Sequence, residues 1–166
     1  MKKIFLLLCV MAVMSAGAVV KPGVEVLRDG GFAELQGKRV GLVTNPSGID
    51  NNLKSTVDIL NEAIGVKLVA LFGPEHGVRG NAHAGDAVGD AVDPLTGIKM
   101  YSLFGKTHEP TEEMLKDIDV LVYDIQDVGA AVTPSMPRWA CACRHVPNMT
   151  PSLWCWTVPI LWAVTR

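Results

Sequence analysis

The feature that most constrains this chain is a recurring order: a short, continuously apolar run, a polar cluster, then a segment of helical character. Arg39 to Thr44 (RVGLVT) reads as a strand, with Asn45-Pro46-Ser47-Gly48 as the turn that ends it. Lys54 to Ala63 follows with Val57, Leu60 and Ile64 at helical spacing, and Ser55 or Thr56 is placed to cap it. Lys67 to Phe72 (KLVALF) is a second strand, Lys99 to Leu103 a third, Thr111 to Lys116 a second helix and Val120 to Ile125 (VLVYDI) a fourth strand. Strands that are apolar on both faces and separated by helices predict an α/β fold, a parallel sheet with helices on both faces. Right-handed crossovers bring every strand's C-terminal end to one edge, and ligands of such sheets bind outside that edge.

The sequence puts its polar clusters there. They are Thr44-Asn45-Pro46-Ser47, Gly73-Pro74-Glu75-His76-Gly77 and Asp124-Ile125-Gln126-Asp127. The second opens a long stretch, Gly73 to Gly97, that is rich in Gly and Asp and lacks periodicity, the pattern of a functional loop. Phe72 and Pro74 flank Glu75 with apolar bulk that would raise its pKa toward a general acid's range; a plain loop carboxylate is the alternative. His76 either orients Glu75, holds a substrate hydroxyl or is a surface histidine. Arg79 offers a guanidinium fork suited to a carboxylate ligand, or is a solvated loop charge. Of Asp124 and Asp127, one suits a second carboxylate and the other a helix cap or hydrogen-bond acceptor. Asn45 shapes the turn before Pro46 and, with Gln126, stands where a ligand would be touched.

Other chemistries find little support. His76, His83, Asp86 and His108 match no standard metal-ligand spacing, so no metal is expected. There is no Walker or GxGxxG loop, and no cofactor is called for. A net charge of −2 with no basic stripe argues against nucleic acid as a partner. At the N-terminus, Lys2-Lys3, the apolar run Ile4 to Met14 and the small residues Ala16-Gly17-Ala18 form a signal peptide, residues 1–18. That run is too short for a stable membrane anchor, so export to the periplasm or beyond is expected. Between Val10 and Ala140 there is no cysteine, and the fold must stand on its core. Nothing in the sequence fixes an oligomeric state.

Four blocks carry a resemblance. "GKRVGLVTNPSGID", "LFGPEHGVRG", "DPLTGIKMYSLFG" and "PTEEMLKDIDVLVYDIQDVGA" resemble, in this order, the NamZ-type exo-β-N-acetylmuramidases. The resemblance implies an exported glycoside hydrolase that releases terminal N-acetylmuramic acid from the non-reducing ends of peptidoglycan fragments. It also implies a Rossmann-like N-terminal subdomain, here residues 23–130, facing a C-terminal one across a cleft. On that pattern Glu75 matches the family's proposed catalytic glutamate and His76 its motif neighbour. Asp124 or Asp127 would assist on the other face, and Arg79 would pair with the lactyl carboxylate of the muramic acid. A muropeptide-binding module without catalysis and a metal-dependent hydrolase are the rival readings.

After Ala130 the resemblance stops and the composition breaks. All four tryptophans and three of the four cysteines follow Ala131, and no Asp, Glu, Lys or Gly does. Trp has a single codon and Cys two, so Trp154-Cys155-Trp156 nearly fixes its own DNA. Read from the last base of each codon, Trp154/Cys155 becomes Val, Cys155/Trp156 Leu, Trp156/Thr157 Asp and Trp162/Ala163 Gly. The straddling codons between them permit Arg-Pro-Asn-Pro-Leu, completing the "VLDRPNP-(L/I)-GG" block with which family members continue. Residues 131–166 therefore read as an out-of-frame tail that is not expected to fold natively.

Overall fold

The computed structural model describes residues 21–74, 76–80, 91–104 and 109–126, and the backbone of residues 152–155. Its elements in chain order are α1 (Gly23–Asp29), a 3-10 turn (Ala33–Leu35), β1 (Arg39–Thr44), α2 (Thr56–Glu62), β2 (Lys67–Gly73) and β3 (Ala91–Val92). β4 (Lys99–Ser102), α3 (Glu112–Leu115), β5 (Val120–Asp124) and β6 (Ser152–Cys155) complete the list. One sheet holds every strand, in the order β3-β4-β2-β1-β5-β6.

Alternation along the strands divides the core into two layers. Val40, Leu42, Leu71, Val120 and Val122 face α1, α2 and the 3-10 turn, where Val24, Leu27, Leu35, Val57 and Leu60 are buried against them. Val43, Ala70, Phe72 and Tyr123 face the other way, onto Leu103, Leu115 and Ile118. Helices therefore cover both faces, as a doubly wound sheet requires. A Cβ at Gly41 would lie 2.7 Å from Ile118 and 3.1 Å from Phe72, so glycine is what lets the α3 side close on β1. α2 begins at Ser55, whose side chain accepts from the Val57 amide at 3.3 Å, and α3 at Thr111, which accepts from Met114.

Two findings add to the sequence reading. The sheet is mixed: β3 pairs antiparallel with β4, while β1–β2, β1–β5, β2–β4 and β5–β6 are parallel. β3 is two exposed residues long, too short to show periodicity within a Gly/Asp-rich stretch. The second concerns the tail, of which Ser152–Cys155 pairs in register with Val120–Tyr123. A strand edge of this kind accepts an extended segment through its backbone alone. No described helix is long and apolar enough to cross a membrane. The signal-peptide reading lies outside the described residues.

β1 is the pivot of the sheet. The connection through α2 leads to β2 on one side, whereas the chain returns through α3 to β5 on the other. The crevice between the C-terminal ends of β1 and β5 is thus the topological switch point, the usual binding place in open α/β sheets.

Candidate active site

Three loops meet at that crevice. From β1, Asn45 Oδ1 accepts from the Ser47 amide at 2.9 Å and the Ser47 hydroxyl at 2.6 Å, an Asx turn of the kind that Asn before Pro supplies. The same Ser47 hydroxyl accepts from the backbone amide of Gln126 at 2.9 Å, tying the β1 loop to the end of β5. One residue earlier, Thr44 Oγ1 donates to the Asp124 carbonyl at 2.8 Å. Gly48 lies against both, since a Cβ there would run into Thr44 Oγ1 and stand 2.9 Å from the Asp124 carbonyl oxygen.

The third loop follows β2. Its Gly77 amide donates to the Pro74 carbonyl at 2.9 Å, closing a tight turn with His76 at its third position. His76 is exposed and has φ +71°, left-handed backbone in which a non-glycine residue is held at a cost. Val78 is buried and returns the chain onto Gly73, where a Cβ would sit 2.8 Å from the Val78 nitrogen. Gly80 reaches the β1 loop, and a Cβ on it would be 2.7 Å from Pro46. All three sequence clusters therefore converge. Glu75 and Asp127 lie outside the described residues.

Two of the residues picked from sequence have other occupations. Asp124 is buried at the end of β5. It is 7% exposed, and its carboxylate hydrogen-bonds the Thr56 hydroxyl at the start of α2, in the layer of Val24, Leu27 and Leu60. Burial pushes its pKa above the ordinary value, with the Thr56 hydrogen bond opposing. Asp124 thus braces β5 to the start of α2.

Arg79 is likewise engaged within the chain. Its Nε and Nη2 donate to Asp93 at 2.7 and 2.9 Å, and its Nη2 and Nη1 to Asp58 at 2.7 and 3.3 Å. Asp93 is fully buried and held below the usual carboxylate range, chiefly by Arg79 and against its own desolvation. The sequence reading missed both partners. Asp58 lies on α2 and Asp93 opens the β3–β4 connection, and neither spacing is a local signal.

The described residues include no cluster of three or more metal-ligating side chains. A groove of about 430 Å³ lies between α3 and the β2–β4 pair, lined by Val69, Lys99, Tyr101, Met114 and Lys116. None of the described candidate site residues lines it.

Comparison with known proteins agrees with this geometry. The family model "Exo-beta-N-acetylmuramidase NamZ, N-terminal" matches residues 40–133, which contain the three loops. The peptidoglycan β-N-acetylmuramidase NamZ of Bacillus subtilis (strain 168) is 57% identical over 110 residues, covering 66% of this chain and 27% of that protein. A DUF1343-family crystal structure from Bacteroides fragilis NCTC 9343 superposes with a TM-score of 0.73 at 51% identity, over 82% of this chain and 34% of that one. A second DUF1343-family structure from the same organism gives 0.61 at 32% identity, over 84% and 35%. The chain thus spans about a quarter of the curated relative's length and about a third of either solved structure. Sequence and fold together show that the chain belongs to the NamZ exo-β-N-acetylmuramidase family, matching its N-terminal part.

Proposed function

We propose that this chain is the N-terminal, Rossmann-like part of an exported glycoside hydrolase that releases terminal N-acetylmuramic acid from the non-reducing ends of peptidoglycan fragments. The observation that carries the reading is the convergence of three family-matching loops on the β1/β5 switch point, joined by Ser47–Gln126, Thr44–Asp124 and Pro46–Gly80. Glu75 follows Pro74 in the sequence, and it acts as the general acid that protonates the leaving glycosidic oxygen. With the Asp124 carboxylate turned toward Thr56, Asp127 or the substrate's own acetamido group is left to assist on the opposite face. Asn45 and Gln126 border the crevice as sugar-hydroxyl partners, and the exposed His76 stands next to Glu75 in the chain. Neither route calls for a cofactor.

Residues 131–166 are proposed to be an out-of-frame tail. The codon reading supports this, and so does the end of the family match at residue 133. The second wall of the cleft then lies in the restored frame, and a substrate cannot be enclosed without it.

The test is Glu75→Gln in the full-length protein with the frame restored. Removal of a positioned general acid typically costs about a hundredfold to ten-thousandfold in rate, with ligand binding nearly intact. Near-full activity in this variant would refute the assignment. Binding without turnover in the parent, retained in Glu75→Gln, would favour a holding module, and sensitivity to a chelator a metal-dependent hydrolase.

A further inference from the structure

We infer that Arg79 is a positioning residue that latches the His76-bearing loop over the crevice, with Asp93 and Asp58 as its socket. The inference rests on the catalytic reading above, because it concerns how that loop is held for chemistry.

The loop between β2 and Gly80 carries little secondary structure, yet it must present its turn at a fixed height. It is held by the Gly77–Pro74 hydrogen bond, by Val78 inserted beside Gly73, by Gly80 against Pro46 and by the Arg79 fork. The first three are local or apolar contacts. Arg79 reaches two distant elements, donating four hydrogen bonds to α2 and to the β3–β4 connection.

The socket is itself built. Asp93 accepts from the Thr96 amide at 3.1 Å and the Thr96 hydroxyl at 2.7 Å, while its backbone pairs with Ile98 and Gly97. These bonds fold Asp93-Pro94-Leu95-Thr96-Gly97 into a rigid turn whose buried carboxylate points at Arg79. The "DPLTG" block thus acquires a purpose that no sugar-binding role supplies. A planar fork shared by two carboxylates fixes orientation as well as distance, which a lysine ammonium at the same place would not. The latch also leaves the Arg79 side chain only 17% exposed, so a ligand carboxylate would have to displace one of the chain's own.

Two measurements separate this role from its alternatives. In the full-length, frame-restored protein, Arg79→Met and Asp93→Asn should each lower kcat about tenfold to a hundredfold with KM within about twofold, as expected for a displaced catalytic loop. The double variant should be little worse than either single one, because both break one device. Arg79→Lys should recover only part of the loss. In the chain itself, hydrogen exchange at Gly77, Val78 and Gly80 should quicken in both variants while amides of β1 and β5 keep their protection.

If Arg79 instead binds the substrate carboxylate, Arg79→Met raises KM and Asp93→Asn does so far less, which overturns the latch. Unchanged kcat in folded Arg79→Met protein overturns it too, as does loss of protection across the whole sheet. A Glu75→Gln form measured alongside keeps the questions apart. Full activity there sinks the general-acid reading, whereas the kinetic and exchange pattern of Arg79 and Asp93 reports on the loop.

Discussion

Gly48→Ala tests the floor of the crevice most directly. The new methyl would run into Thr44 Oγ1 and stand 2.9 Å from the Asp124 carbonyl oxygen and 3.4 Å from that of Asn45. Two of these three atoms are backbone, and Thr44 is itself 1% exposed, so a simple rotation does not clear the site. Overpacking of this kind costs about 1–3 kcal/mol. If Thr44 turns away, its hydrogen bond to Asp124 is also lost, worth about another 1 kcal/mol. A destabilisation of about 2–4 kcal/mol follows, a large share of the ~5–15 kcal/mol that holds a typical domain. Urea unfolding followed by circular dichroism would measure it as a lower midpoint at unchanged slope. Adding Thr44→Ala should recover only part, since the contact with the Asp124 carbonyl persists. A variant within about 0.5 kcal/mol of the parent would show that the β1 loop swings freely from β5, and the convergence of the three loops would have to be abandoned.

Asp124 supplies a pH test. Burial raises its carboxyl above the ordinary value, so the folded chain binds this proton more tightly than the unfolded chain; the contribution is complete below the unfolded pKa near 3.8 and is lost as pH rises through the raised value. Asp124→Asn keeps a partner for Thr56 without that proton, so its Tm relative to the parent should rise as pH climbs above the ordinary carboxylate range; parallel Tm curves would refute the buried placement. Sequencing provides another: a single-base gain or loss, or its equivalent modulo three, should lie near the codons for Gly129 to Val132. A stop codon soon after Arg166 in the restored frame would instead mark the tail as genuine protein.

Much of the central sheet was legible because buried parallel strands write themselves as unbroken apolar runs. Arg39–Thr44 was found with its observed bounds, and Lys67, Lys99 and Val120 were found as strand starts. The caps at Ser55 and Thr111 were legible for a local reason, since each hydroxyl meets an amide two or three residues on. α1 was missed: seven residues show only Val24 and Leu27 on the buried side, and its buried Glu25 is anchored by Asn51 through a contact 26 positions away. The site divided along the same line. The turn chemistry of Asn45 and the convergence of the loops followed from strand polarity and turn signals. The engagement of Arg79 and Asp124 did not, because it depends on partners brought near only by the finished fold. The pairing of residues 152–155 beside β5 has a related cause: the ladder reads backbone.

The β1–β5 seam also sets an order of assembly. Arg39 with Asp119 and Thr44 with Asp124 are joined across 80 residues, and Ser47 with Gln126 across 79, whereas β1 meets β2 through one short helical crossover. Closing the longer loop costs roughly 1 kcal/mol more in chain entropy, and such distant pairings slow folding. As the chain emerges from the ribosome, β1 and β2 are available to each other well before β5 has been made. Until then the second edge of β1, from Val40 to Thr44, stands open to any passing strand. The crevice floor is thus the last surface to form, and its edge is the one most exposed to mispairing during synthesis.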